Sequence, residues 1–384
     1  MKSAVVSALI GAAILSQQVL AHPGHNHAKE NEQRSAYLNN PNTKRSLAHC
    51  AEKLKARGND IAMAARRSAI AQNLRKKRSI STEKSYLRAR DFDEVLATDH
   101  HSNMTGITAD TDPSVLFSGN SSCILSPETT QGPYWVSGEL VREDITEDQE
   151  GVPLTLDIQI IDTNTCEPVP QSMLEIWHCN STGVYSGVSA SGNGNGAASN
   201  LNTTFLRGIQ PSDTQGVVKF DTLFPGHYTG RATHIHVLAH MNATMLPNNT
   251  ISGGSISHVG QVFFDQSLIT QVEATTPYVN NAQELTTNAD DSIMSGEAAD
   301  VDPVAEYVFL GDDVSSGIFA WIAFGMDTTA VYNVSAAAVL TSNGGVANNN
   351  TGMGGPGGMP SGGPPPGAIP SGTALPTGTA AAGA

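Results

Sequence analysis

His234 and His236 stand two residues apart with Tyr228 and Arg231 just upstream, so a nine-residue stretch holds three side chains able to ligate a metal and one cation. On a β-strand, residues i and i+2 share a face. Ile235, Val237 and Ala239 would then turn the other way into a core and leave the imidazoles at its edge. By itself a His-x-His pair is ambiguous, since structural histidines, zinc sites and copper sites all use it. Tyr228 ends a Pro225-Gly-His-Tyr turn, and a second tyrosine, Tyr185, follows Trp177-His-Cys-Asn-Ser-Thr-Gly183-Val184. Each tyrosine also has a structural reading, as a half-buried ring with a hydrogen-bonded hydroxyl.

These residues need a scaffold of short strands. Leu154, Leu156, Ile158 and Ile160 alternate with Thr155, Asp157 and Gln159, and further strand candidates are Met173 to Trp177, Val217 to Phe220, His234 to Leu238, Gln261 to Phe264, Tyr307 to Leu310 and Gly317 to Phe324. Many short strands without intervening helices predict an all-β sandwich or barrel over residues 111–340, long enough for one sizeable core. Residues 22–110 read as an N-terminal arm and linker. Within it, about Thr43 to Arg78 is helical, with Leu47, Cys50, Leu54, Ile61, Ala64, Ile70 and Leu74 spaced by threes and fours. The run Arg75-Lys-Lys-Arg78 has two readings, a solvated helix end and a secretory processing site.

Residues 1–21 carry an apolar stretch from Ala4 to Leu15 and small residues up to Ala21, the pattern of a secretory signal peptide. Eight Asn-x-Ser/Thr sequons, at Asn103, Asn120, Asn180, Asn202, Asn242, Asn248, Asn333 and Asn349, fit a secreted glycoprotein. Four cysteines in an oxidising compartment predict two disulfides, for which the pairs Cys166 with Cys179 and Cys50 with Cys123 are favoured. Residues 341–384 are rich in Gly, Pro, Ala, Thr and Ser, so a disordered tail is expected there.

Charge is divided along the chain. Of 21 Lys and Arg, only Arg142, Arg207, Lys219 and Arg231 lie beyond residue 90, against 31 of the 36 acids, which leaves that part at −27 formally. Such a body repels nucleic acid and anionic membrane. It also makes a cation beside the histidine pair hard to dismiss as surface decoration.

Five stretches in order resemble the intradiol ring-cleavage dioxygenases, in particular the secreted fungal kind. They are Gly132-Pro133-Tyr134; Glu175-Ile-Trp-His-Cys-Asn-Ser-Thr-Gly-Val-Tyr185; Phe205-Leu-Arg-Gly-Ile-Gln210, with Asp213-Thr-Gln-Gly216 and Phe220 to Tyr228; Arg231-Ala-Thr-His-Ile-His236; and His258-Val-Gly-Gln261-Val-Phe-Phe. The resemblance covers roughly residues 130 to 265 and implies a β-sandwich. It also implies one Fe(III) per chain, held by Tyr185, Tyr228, His234 and His236. Ferric iron favours anionic oxygen, which phenolates supply, and imidazole suits iron as well.

By the same resemblance, Tyr228 leaves the metal when a catechol chelates and takes up a substrate proton. Arg231 stabilises developing negative charge, Gln261 joins that pocket, and Pro133 and Tyr134 line the substrate side. Substrate and O2 would give a muconate-type diacid, and helical elements that pair bacterial relatives suggest the arm as a homodimer contact. Trp177 and His178 are read as supporting the ligands from behind or as core, and His227 and His240 are set aside, the first as out of phase and the second as beyond the pair. Two features depart from parts of the family: Asn180, where some relatives carry an acid, and the short Thr229 to Thr233 connection. The competing class is a non-catalytic secreted β-sandwich module associated with cell wall or carbohydrate, which would have no reason to keep this ligand set.

Overall fold

A computed structural model describes residues 47–83, 112–117, 122–123, 134–194, 196–298 and 302–348. The signal-like segment, the leader, most of the linker, Pro133, the sequons at Asn103, Asn120 and Asn349, and the low-complexity tail lie outside these residues. Fourteen strands follow in order: β1 (Ser122–Cys123), β2 (Val136–Ser137), β3 (Pro153–Asp162), β4 (Met173–Trp177), β5 (Arg207–Pro211), β6 (Val217–Leu223) and β7 (His234–Met241), then β8 (Thr244–Met245), β9 (Ile251–Ser252), β10 (Ser255–Phe263), β11 (Glu306–Phe309), β12 (Ile318–Met326), β13 (Ala338–Thr341) and β14 (Gly344–Ala347).

Two sheets make the sandwich. One runs β1-β12-β3-β6 with β11 also on β12, and the other runs β10-β7-β4-β5. Period-two alternation explains why they face each other. Leu154, Leu156, Ile158 and Ile160 of β3 meet Leu174 and Ile176 of β4 and Ile235, Val237 and Ala239 of β7 in one buried core. The same alternation sends His234, His236, Leu238 and His240 to the outer face of the second sheet. That face is covered by a smaller cluster holding Tyr134, Trp135, Trp177, Tyr185, Tyr228 and Val259.

The polar residues of β3 are not solvated, as simple alternation would suggest. Thr155, Asp157 and Gln159 are buried. The helix Asn59–Lys77 lies over that outer face, with Ala64, Ala71 and Leu74 packed against Val308, Leu310, Phe319 and Trp321. Arg66 bonds Asp157 at 3.0 Å, Asn59 and Gln159 exchange hydrogen bonds of 3.2 and 2.9 Å, and Arg67 lies over the Trp321 ring. Burial lowers the Arg67 guanidinium to about 10. The basic run at the helix end is docked too. Arg75 is buried with Nε on the Leu310 carbonyl at 2.8 Å, and Arg78 reaches the Ser316 carbonyl at 3.0 Å. This corrects the solvated reading for Arg75 and Arg78; Lys76 and Lys77 remain exposed. The buried face of the arm helix packs on its own body, and the homodimer contact remains a proposal.

Both favoured disulfide pairs are overturned, because Cys50 bonds Cys166 across a sequence separation of 116. The first described residues of the arm lie beside the turn that follows β3, where His49 Nε2 bonds the Thr163 carbonyl at 2.8 Å and Lys53 bonds that of Thr165 at 2.7 Å. Cys179 lies beyond the far end of β4, is buried with a free thiol, and donates to the Gly226 carbonyl at 3.2 Å. Sequence proximity misled because β4 carries the chain along the sheet between Cys166 and Cys179. A loop this long makes the cross-link strongly stabilising. Cys166→Ser is expected to cost about 2–4 kcal/mol in equilibrium denaturation, with unchanged metal content, since the bridge lies away from the tyrosine and histidine cluster.

Candidate metal centre

Four strands set a row of side chains across the outer face of the second sheet. In register, Gln261 of β10 lies beside His236 of β7, His236 beside Trp177 of β4, and Trp177 beside Arg207 of β5. His236 stacks on the Trp177 indole with centroids 4.7 Å apart and planes 6° apart. That fixes its ring orientation, and His234 follows from the strand period two residues earlier. The His234 and His236 rings are edge to face, with their Nε2 atoms 3.0 Å apart.

The tyrosines arrive on loops. Tyr228 caps the turn before β7 and places Oη 3.3 Å from His234 Nε2. Tyr185 follows a tight loop in which Gly183 has φ +78°, a left-handed conformation that favours glycine, and a Cβ there would collide with the His227 carbonyl. Gln283 ties the two loops together, donating to the Thr182 carbonyl at 3.1 Å and accepting from the Thr229 amide at 3.3 Å. The Tyr185 ring then lies 5.6 Å from that of Tyr228, 6.1 Å from that of His236 and 5.0 Å from that of Tyr134. All four expected ligands and Tyr134 therefore share one buried cluster.

Whether a cation suits this cluster can be tested from the donors. His234 Nδ1 donates to the Ala232 carbonyl at 2.6 Å, so neutral His234 carries its lone pair on Nε2, aimed at His236 and Tyr228. Burial, and next the Arg231 charge, hold both imidazoles well below their ordinary range and therefore neutral. Burial raises both phenols, and no hydrogen bond of normal geometry reaches the Tyr185 hydroxyl, although Tyr228 beside it further disfavours its ionisation. Two ligand atoms sharing one ion at about 2.1 Å and near a right angle stand about 3 Å apart, which is the observed Nε2 separation. Neutral imidazoles and phenols crowded this way, with a buried hydroxyl left over, fit a hard cation.

Arg231 and Gln261 join the cluster from one side. Arg231 is buried and bonds Gln261 Oε1 through Nη2, while its Nε bonds Asp291 at 2.9 Å. Trp177, read as core or as supporting the ligands from behind, stacks on a site histidine. Arg207 and Asp291 were not anticipated as site residues. Arg207 is fully buried, lies 6.0 Å from the Tyr185 ring centroid and has Glu139 at 3.8 Å, whose carboxyl burial pushes up to about 8. Its signal was available: it is one of only four cations past residue 90, the same argument that marked Arg231. Asp291 had no such signal among 31 acids.

The other histidines are engaged elsewhere. His178 bonds the Cys179 carbonyl and Thr222, both at 2.8 Å; His227 bonds Glu273 at 2.7 Å; and His240 bonds Glu175 at 2.9 Å, at a cavity of about 400 Å³ farther along the sheet. Asn180 spends its amide on Gln149 at 3.0 Å and its carbonyl on the turn to Val184. His49, Cys50 and Cys166 also cluster with metal-like spacing, but both sulfurs are in the disulfide.

These features define a β-sandwich domain with a two-tyrosine, two-histidine donor cluster flanked by a buried arginine. A family model described as Dioxygenase matches residues 126–292. The chain is 32% identical over 108 residues to catechol 1,2-dioxygenase 1 of Acinetobacter lwoffii, covering 27% of this chain and 32% of that protein. It is 39% identical over 66 residues to a catechol 1,2-dioxygenase of Pseudomonas sp. (strain EST1001), covering 16% and 22%. The chain thus spans at most about a third of the length of these curated relatives. Among solved structures, an intradiol ring-cleavage dioxygenase from Tetranychus urticae is 28% identical, with 55% of this chain and 98% of that chain covered and a TM-score of 0.45. Over residues 126–292 the chain is thus similar to dioxygenases.

Proposed function

We propose that the protein is a secreted Fe(III) intradiol dioxygenase that opens a catechol-type ring between its two hydroxyl-bearing carbons with O2. The observation that carries this reading is the convergence of Tyr228 Oη and the two histidine Nε2 atoms, with the Tyr185 ring against them and a buried arginine alongside. Tyr185, Tyr228, His234 and His236 would hold the metal. Bound there, ferric iron supplies chelation of the catecholate and draws electron density from its ring. The chain's residues do the rest. Tyr228 Oη, as phenolate, would accept a catechol proton; the Arg231 guanidinium would stabilise negative charge developing on the substrate; and Trp177 and Tyr134 keep the cluster apolar and dry. Both atoms of O2 enter the product, so no external reductant is needed.

Secretion is supported by the signal-like residues 1–21, the sequons and the Cys50–Cys166 disulfide. Mass analysis of the protein in culture medium tests it, with retention inside the cell as the contrary result.

Purified protein is expected to carry about one iron per chain, the number one four-ligand site implies, to show a tyrosinate-to-iron colour, and to consume O2 with catechol or hydroxyquinol. Colourless protein that stays iron-free after ferric reconstitution overturns the reading. A second expectation follows from the raised phenols. Both are protonated in the metal-free protein at neutral pH and must ionise to ligate, so metal uptake releases roughly two protons. Affinity for ferric iron therefore rises with pH, by about tenfold per unit for each proton released. A pH-independent affinity, measured by competition with a chelator of known protonation, would remove both tyrosines from the ligand set.

A further inference from the structure

Arg231 contributes charge to the cluster, but charge alone does not aim a guanidinium. Two of its partners bear on its direction, and one comes from outside the five motifs. Asp291 Oδ2 accepts from Arg231 Nε at 2.9 Å and from the Ala232 amide at 2.7 Å, while Oδ1 accepts from the amides of Ile293 at 2.7 Å and Met294 at 3.1 Å in the helix Ser292–Ala298. The carboxylate is thus pinned by three backbone amides before it meets the arginine. It is 1% exposed, and although burial opposes its charge, Arg231 and the Ala232 amide outweigh this and hold the carboxyl below the usual range. One residue both caps that helix and fixes the root of the strand that carries His234 and His236.

We infer that Asp291 is a positioning residue for the proposed ring-cleavage reaction: it locks Arg231 Nε so that the guanidinium is presented at one angle beside the donor cluster, with Gln261 setting the opposite edge. The inference rests on the function proposed above. Gln261 holds the guanidinium at Nη2, on its far edge, and Asp291 holds it at Nε, where the stem enters; together the two contacts define its angle. Orientation matters because a stabilising donor must already point where charge develops, and a loss of alignment of about 1 Å costs on the order of 100-fold in rate. The pair also keeps the buried charge balanced. Without the carboxylate, Arg231 loses the acid bonded to its Nε; it still attracts a catecholate but holds it without the correct aim. The signature of positioning is therefore a fall in kcat with substrate binding retained.

Asp291→Asn separates this role from helix capping, since asparagine caps a helix N-terminus as well as aspartate but cannot neutralise the arginine. Three measurements are made on the full chain. The first needs no metal or activity: in ¹⁵N-labelled metal-free protein, the Arg231 Nε–H signal, assigned by its loss in Arg231→Lys, is expected to be shifted and protected from exchange in the wild type and to lose both properties in Asp291→Asn. The second is binding of catechol without O2, followed by the colour change of iron-loaded protein, expected to move less than about threefold. The third is kcat for O2 uptake, expected to fall on the order of 100-fold at unchanged iron content.

An unchanged Nε–H signal, a kcat within threefold of wild type, or a loss confined to iron content or catechol binding would each overturn the positioning role. If Asp291→Asn does not fold, Asp291→Ser, which also caps, replaces it in all three measurements. A wild-type protein with the protected Nε–H but no oxygen uptake on any diphenol would refute the proposed reaction while leaving the Asp291–Arg231 lock in place, so the two failures are distinguishable.

Discussion

His236→Ala is expected to empty the metal site and abolish ring cleavage. Bound iron, measured on purified protein after ferric reconstitution, should fall below a tenth of the wild-type level. Oxygen uptake should fall by at least the roughly 100-fold typical of losing even an outer-shell partner of a metal ligand. The expectation rests on position: His236 lies between Trp177 and Gln261 in the row across the sheet, and its Nε2 is 3.0 Å from that of His234. Truncation removes one of two imidazole donors and the stacked ring that orders Trp177. His240→Ala is the control. It lies four residues on along the same strand and the same face, but it bonds Glu175 at 2.9 Å instead of entering the cluster. Wild-type iron in His236→Ala, or equal iron loss in both variants, would end the assignment.

Tyr228→Phe should separate metal binding from chemistry. Three donors remain, so most of the iron should stay, and Tyr185 should preserve a tyrosinate colour. Oxygen uptake should nevertheless drop by about 10² to 10⁴, the contribution of a positioned proton acceptor. The backbone of the turn that bears Tyr228 is fastened on either side of that residue. Asn281 donates to the His227 carbonyl at 2.8 Å, and Thr286 accepts from the Gly230 amide at 3.0 Å. These ties hold the turn while, on the proposed reading, the phenol beside His234 accepts a substrate proton. A Tyr228→Phe protein that lost its iron would make Tyr228 a structural ligand only, and one that kept full turnover would leave it no role.

Part of the candidate site was legible in the sequence because four of its residues are local to one segment. His234 and His236 follow from strand period two, Tyr228 and Arg231 share their segment, and the strand candidates on β3, β4, β7 and β12 all form with only their ends shifted. The arm was legible as a helix for the same reason, as its repeat of threes and fours spans neighbouring turns.

What stayed hidden was long-range. Thr155, Asp157 and Gln159 look like a solvent face until the arm covers them, and Cys166 looks like a partner for Cys179 until the arm brings Cys50 to it. Arg207 and Asp291 reach the cluster from a different strand and from a helix start, so their meaning depends on which backbone lies beside them.

The sequence by itself therefore carried the residue types of the candidate donors and the strand that bears the histidines, since Tyr228, Arg231, His234 and His236 lie within one nine-residue segment. The tertiary structure alone decided the disulfide, the burial of the arm's arginines and the lock on Arg231. Those depend on pairings between segments more than fifty residues apart, and such pairings are chosen by how two sheets and a helix pack, which no local period records.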